Sequence, residues 1–229
     1  TTVNGGDNND TINVGSLAPG VGGNVNCINA LLTVNGESGS NTLNVDDSGD
    51  TADNTGTLAS HTISGFGMLQ PITYWRFGEV VLNLGSGNDN LFVESTHAYV
   101  TTIDTGDETA VVNKTNDVIN IKSISGPTTV DAGAGNDIIR VNYDQAGHQT
   151  FAAGISATLT LHGKAGGDFY EIGLSGLGSS RINVYDQSSG DLGVDSMNIY
   201  GTQQADYFLF RRGMVAAVEV DSNRNPVMN

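Results

Sequence analysis

The sequence predicts an all-β fold, a parallel β-helix or β-roll-like solenoid of short strands, with tandem antiparallel β-sandwich modules as the competing architecture. Three observations carry this. The segment Thr1 to Val45 is written again, more loosely, as Thr128 to Ile172, at an offset of about 127 residues and with no net gap. Thr1, Thr2 and Val3 return as Thr128, Thr129 and Val130; Asn9 and Asp10 return as Asn136 and Asp137; Leu32, Thr33 and Gly36 return as Leu159, Thr160 and Gly163. Inside this long repeat sits a finer unit: a short alternating strand, a Gly/Asn/Asp turn and a second alternating strand. The third observation is compositional. Gly, Asn, Asp, Thr, Ser and Val dominate, helix-favouring Lys, Leu and Glu are scarce, and no apolar stripe of helical period is present.

Taken in order, the units run from Thr2 to Val14, Leu32 to Val45, Val81 to Val93, Thr129 to Val141 and Leu159 to Ile172, with degenerate copies ending at Ile121, Ile199 and Phe210. A Gly-rich loop, Gly15 to Asn29, joins the first two. Asp46 to Asp50 is expected to be a turn, Leu58 to Phe66 a single strand, and Ile72 to Phe77 and Val80 to Leu84 further strands. Residues 146–156 are expected to be a loop and Val215 to Val220 a last strand. The blocks are therefore 1–127, a second and truncated block 128–221 continuous with it, and a tail, 222–229, of turn or disorder. One unit cannot bury its apolar face alone; stacking units makes a continuous core. The chain opens inside a repeat, which predicts a piece cut from a longer array.

The net charge of -16, with only nine basic residues, argues against nucleic acid and anionic membranes as partners. It favours bound cations or a well-solvated surface. No apolar run is long enough to span a membrane as a helix. Cys27 is the sole cysteine, so no internal disulfide forms; its counterpart in the second copy is Gly154, and it is expected to be a small buried residue. Few cysteines fit an extracellular, bacterial protein stabilised by stacking.

The turns Gly85-Ser86-Gly87-Asn88-Asp89 and Gly133-Ala134-Gly135-Asn136-Asp137 resemble the calcium-binding nonapeptide of RTX (haemolysin-type) repeats, and Gly5 to Ile12 matches with Asn8 in place of the third glycine. The resemblance implies calcium held by Asp10, Asp89 and Asp137, with Asp117, Asp168, Asp195 and Asp206 as weaker ligands, and by the turn carbonyls of Gly85, Gly87, Gly133 and Gly135. Asn41 replaces the aspartate of its unit. Beyond the turns, the chain is similar in style to large, repetitive surface proteins of environmental bacteria. Physics alone reaches the same point: equivalent aspartates of stacked coils form a like-charge column, costly unless a cation sits in it. The alternative is that each aspartate accepts N–H bonds within its own turn.

Catalytic constellations are not evident. His61, His97, His148 and His162 form no metal-binding helix, and no nucleophile elbow is present. A polysaccharide-active β-helix enzyme would need carboxylates and a base to converge, from Asp104, Asp107, Asp131 and Arg140 or from Asp144 and Arg181. Tyr74 and Trp75 belong to an aromatic cluster that, if exposed, suits carbohydrate or a subunit contact. Phe208, followed by Arg211 and Arg212, suits docking on an acidic neighbour. The expectation is a non-catalytic, extracellular or cell-surface structural repeat protein (a surface layer, matrix fibre or filament, or adhesin stalk), self-assembling with copies of itself or neighbouring repeats and stabilised by calcium. The alternatives are a secreted polysaccharide-active enzyme or a carbohydrate-binding module.

Overall fold

A computed structural model gives the structure of the chain and describes residues 1–107, 117–152, 154–175, 181–185, 193–211 and 214–219. Among the described residues the chain forms nineteen strands and no helix. The first block contains β1 (Thr2–Asn4), β2 (Thr11–Val14), β3 (Leu32–Asn35), β4 (Thr42–Asp46), β5 (Thr55–Ala59), β6 (Thr62–Gly65), β7 (Ile72–Trp75), β8 (Glu79–Asn83), β9 (Asn90–Val93), β10 (Val100–Asp104) and β11 (Val118–Ile121). The second contains β12 (Thr128–Asp131), β13 (Ile138–Val141), β14 (Leu159–His162), β15 (Phe169–Gly173), β16 (Ile182–Tyr185), β17 (Ser196–Tyr200), β18 (Asp206–Arg211) and β19 (Met214–Glu219).

These strands build a parallel solenoid. One sheet of seven strands runs β16-β14-β12-β10-β8-β4-β2, and all its pairings are parallel. The ten-stranded sheet is two parallel stacks, β1-β3-β7 and β5-β9-β11-β13-β15-β17, joined through β6, which is antiparallel to both neighbours. Each Gly/Asn/Asp turn carries the chain from one stack to another instead of closing a hairpin, and this excludes the sandwich alternative. Alternation then points every second side chain inward. Leu43, Leu82, Ile103, Ile119, Ile139 and Leu161, all fully buried, belong to one apolar cluster that includes residues from both blocks. Burial of each such side chain contributes about 1.5–3 kcal/mol, which offsets the ordering of short strands that no single coil could sustain.

The long sequence repeat is also a repeat of register. Thr2 pairs with Thr33 and Thr11 with Thr42; their counterparts pair in the same way, Thr129 with Thr160 and Ile138 with Phe169. Corner geometry repeats too: Gly6 and Gly133 have φ of 96° and 84°, Glu37 and Lys164 60° and 74°, and Gly39 and Gly166 110° and 135°. Left-handed backbone at matching positions is what a tight corner between stacks requires.

Three expectations are corrected. Leu58 to Phe66 is not one strand: β5 and β6 form a two-residue hairpin around Ser60 and His61, pairing Ala59 with Thr62. A pattern of period two reads alike on both sides of so short a turn. Cys27 is exposed, since it lies in the loop over the open first coil. Residues 206–210 do not add a unit to the solenoid; β18 pairs with β19 as a separate antiparallel ribbon. Val220 and the tail 222–229 lie outside the described residues.

Candidate functional site

Five of the aspartates singled out by their turns, Asp89, Asp117, Asp137, Asp168 and Asp195, line up along the solenoid, one per coil. Each up to Asp168 donates its backbone N–H to the carboxylate Oδ1 of its counterpart in the next coil. Asn54 N–H reaches Asp89 at 2.9 Å, Asp89 reaches Asp117 at 2.7 Å, and Asp117 reaches Asp137 at 2.9 Å. Asp137 reaches Asp168 at 2.8 Å, and Asp168 reaches Asp195 at 3.0 Å. A matching step at another corner takes Asp10 N–H to Asn41 Oδ1 at 2.8 Å. In Asp89, Asp117, Asp137, Asp168 and Asp195 the carboxylate Oδ1 accepts its bond from the adjacent coil. Asp206 bonds within its own turn, where its carboxylate accepts the N–H and hydroxyl of Thr202.

At three corners the preceding residue works in the opposite direction. Asn9 Oδ1 accepts Ser40 N–H at 2.8 Å, Asp53 Oδ1 accepts Asn88 N–H at 2.9 Å, and Asn136 Oδ1 accepts Gly167 N–H at 2.7 Å. The dipeptides Asn9-Asp10, Asp53-Asn54 and Asn136-Asp137 are thus each one half of a reciprocal clamp between coils. The partner of each is the dipeptide one coil on. This also explains the glycines. A Cβ on Gly133 would sit 1.6 Å from the carbonyl oxygen of Gly106, and one on Gly166 1.3 Å from that of Gly135. One on Gly106 would sit 2.0 Å from the oxygen of Gly85, and one on Gly87 2.0 Å from that of Ala52. Gly133 O also accepts Ala165 N–H at 3.2 Å. The turn backbones are in coil-to-coil contact.

Electrostatics make the ladder unusual. Asp89, Asp117, Asp137 and Asp168 are all buried. Loss of hydration pushes the Asp137 carboxyl up to about 8, and the neighbouring Asp117 and Asp168 charges add to it. Burial likewise raises Asp89 to about 7, reinforced by Asp117, Asp47 and Asp50. No hydrogen bond reaches Oδ2 of Asp10 or of Asp137. Calcium takes about 6–8 oxygens. Among the described residues no three acidic, His or Cys side chains converge on one point.

Asp46, Asp47 and Asp50, read from sequence only as a turn, hold the Gly-rich loop. Asp46 accepts Gly23 N–H at 2.8 Å, Asp47 accepts Val25 N–H at 2.9 Å, and Asp50 accepts the Asn26 amide at 2.9 Å. Burial raises Asp47 to about 7. Their place just after a repeated unit was the available signal.

The remaining candidates are dispersed. Tyr74 is buried and its hydroxyl donates to the Ala59 carbonyl, whereas Trp75 is 47 % exposed and stacks on His61 with ring centroids 4.1 Å apart. Phe208 shares an open recess with Met197, Ile199, Tyr200 and Val215. Arg211 ends β18, and Arg212 lies outside the described residues. Arg140 stands on β13 beside Glu171, while Asp104 and Asp131 stand on β10 and β12 in the other sheet, where Asp131 meets His162 at 2.9 Å. The chain is a parallel β-solenoid by its architecture; no family model, curated protein or solved structure matches it.

Proposed function

We propose that this chain is a non-catalytic structural module of an extracellular or cell-surface repeat protein, a spacer in a surface layer, matrix fibre or adhesin stalk. The observation that carries this is the ladder: the residues with the most chemical promise are engaged in holding one coil to the next. A site that acts on substrate keeps polar groups available at a surface. Here they are buried and repeated. Calcium, in this proposal, takes the place of the protons that burial holds on Asp89 and Asp137 and so stiffens the rod.

The test is thermal unfolding in excess EDTA and again after calcium is restored. A melting temperature that falls in EDTA and returns with calcium supports the cation. An unchanged melting temperature in both removes calcium from the proposal. The exposed Trp75, braced by His61, favours a second reading as a carbohydrate contact. Binding to a polysaccharide panel that vanishes in Trp75→Ala would support it.

A further inference from the structure

We infer that the outward face of β3, β7 and β6 binds an uncharged polysaccharide chain, with the Trp75 indole stacked on one of its sugar rings. This deepens the carbohydrate reading of Trp75 and rests on it, naming the class of glycan, the way the chain lies and the groups that meet it.

The face belongs to the stretch that breaks the repeat. Stacking of coils needs inward apolar residues and aspartate corners, and both recur along the chain. The β5–β6–β7 meander is different, with β6 antiparallel to both neighbours. It carries the sole tryptophan and a second ring to back it. In β7, Ile72 and Tyr74 are buried while Thr73 and Trp75 face outward. The Tyr74 hydroxyl donates to Ala59 O at 2.7 Å, which fixes the strand beneath the indole. His61, in the hairpin turn, lies against the indole with centroids 4.1 Å apart and 25° between the planes, so one face is backed and the ring plane is set. β7 lies between β3 and β6, so the exposure of Trp75 is not an edge effect. A braced indole open to water offers a flat apolar surface with little conformational freedom to lose on binding.

The groups around the indole are polar, uncharged and free to bond. Trp75 stands beside Asn35, and Thr73 stands between Thr33 and Thr62. Among the described residues the Trp75 Nε1–H, the Asn35 amide group and the Thr62 hydroxyl donate no hydrogen bond, while the Thr73 hydroxyl leans on that of Thr33 at 3.1 Å. None of β3, β5, β6 and β7 contains Asp, Glu, Lys or Arg, in a chain with 25 acidic and nine basic residues. The charges that follow β3 and β7, Glu37 and Arg76, are opposite in sign. Charge returns on the other strands, at Glu79, Asp104, Asp131, Arg140 and Glu171. A neutral face on a chain of net charge -16 selects its partner by charge. The chain as a whole repels acidic glycans, and its acidic strands draw cationic ones away from this face. An uncharged glycan meets neither effect. Its hydroxyls accept from the indole N–H, Asn35 and Thr62, and the apolar side of one ring covers Trp75. The strands β3, β7, β6 and β5 lie about 4.8 Å apart, so the face runs roughly 14 Å along the solenoid axis. A chain laid along the axis fills such an open face, where a single sugar would not.

The experiment is retardation in native gels that contain a soluble polysaccharide, read together with the emission of Trp75, which as the sole tryptophan reports on this face alone. The probes are hydroxyethyl cellulose and galactomannan, both uncharged, and alginate, which is acidic. At least one uncharged polymer is expected to retard the protein and shift the emission to the blue, equally in low and high salt, and alginate is expected to do neither. Trp75→Ala is expected to weaken the binding about tenfold, the worth of one aromatic contact, with Trp75→Tyr restoring part of it. Thr62→Val, which removes one hydroxyl and keeps the strand, is expected to weaken it several-fold. All three variants are expected to unfold as wild type does. Alginate that retards wild type but not Trp75→Ala, with the uncharged polymers inert, would overturn the uncharged partner and leave the carbohydrate reading standing. No retardation by any probe would overturn both. Equal retardation of wild type and Trp75→Ala would put the glycan on another surface and overturn the inference. An emission shift that follows protein concentration without polysaccharide would make the face a contact between copies of the chain, and would overturn it too.

Discussion

The first coil and its copy in the second block have the same pattern, register and corner angles, yet differ throughout in burial. Val3, in β1, is 37 % exposed, while Val130, in β12, is completely buried. β2 alternates between exposed and half-buried positions, while β13 alternates between half-buried and buried ones. Nothing local separates them. β12 and β13 have coils on both sides and β1 and β2 have one, so most of a strand's burial in this fold is supplied by its neighbour.

Paired substitutions sharpen the comparison. The largest difference is expected in the core: Ile139→Ala leaves a cavity in a closed coil and should cost about 4 kcal/mol, whereas Ile12→Ala, at the open coil, should cost under about 1 kcal/mol. Denaturant unfolding of both checks this, and equal losses would mean that the first coil is covered. Next come the glycines. Gly6 and Gly133 both have positive φ, but a Cβ meets nothing within 4 Å at Gly6 and a backbone oxygen at Gly133. Gly133→Ala should cost about 3 kcal/mol and Gly6→Ala about 1 kcal/mol, the latter from backbone strain alone.

The smallest contrast is in the ladder. Asp137→Ala removes the acceptor of Asp117 N–H and should cost about 2 kcal/mol, while Asp10→Ala strands no donor and should be near neutral. Asp137→Asn keeps the acceptor, as Asn41 does at its own corner, where its amide nitrogen also donates to Gly36 O at 2.7 Å. pH sharpens this step. Asp137 and Asp89 hold a proton more tightly folded, at about 8 and about 7, than at the 3.8 of a free carboxyl. Their contribution is therefore complete below the unfolded value and is lost as pH rises through the folded ones. In EDTA, the melting temperature should fall between about pH 5 and pH 8, and Asp137→Asn should flatten that slope. A melting temperature that climbs over this range would show these carboxyls to be charged and satisfied.

Much of this was legible beforehand, for definite reasons. Strand alternation and glycine at corners are local consequences of side-chain periodicity and backbone sterics. Asp89, Asp117, Asp137, Asp168 and Asp195, marked by their turns, are the ladder residues, because a buried acid at one repeated position leaves a mark in the sequence, whereas Asp10 and Asp206 carry the same mark elsewhere. Their partners were not legible. Whether Asp137 bonds within its turn or to Asp168 depends on which coil lies beside it. Asn9, Asn136 and Asp53 escaped notice because a polar residue in a turn needs no second explanation.

The sequence by itself determined that the chain is all-β, that its strands are short and alternating, and that residues 1–45 and 128–172 share one local plan. Only the tertiary structure decided where each copy sits. β1 and β12 have matching sequence, yet one belongs to the ten-stranded sheet and the other to the seven-stranded sheet. The physical reason lies in the least repetitive stretch. The β5–β6–β7 meander inserts two strands, and β8 then ends one corner, at Arg76, and begins the next, at Gly85. The pattern advances by one stack without changing register within any unit. Local sequence carries no record of such a slip, because each strand specifies only its inward face and the neighbouring coil supplies the rest.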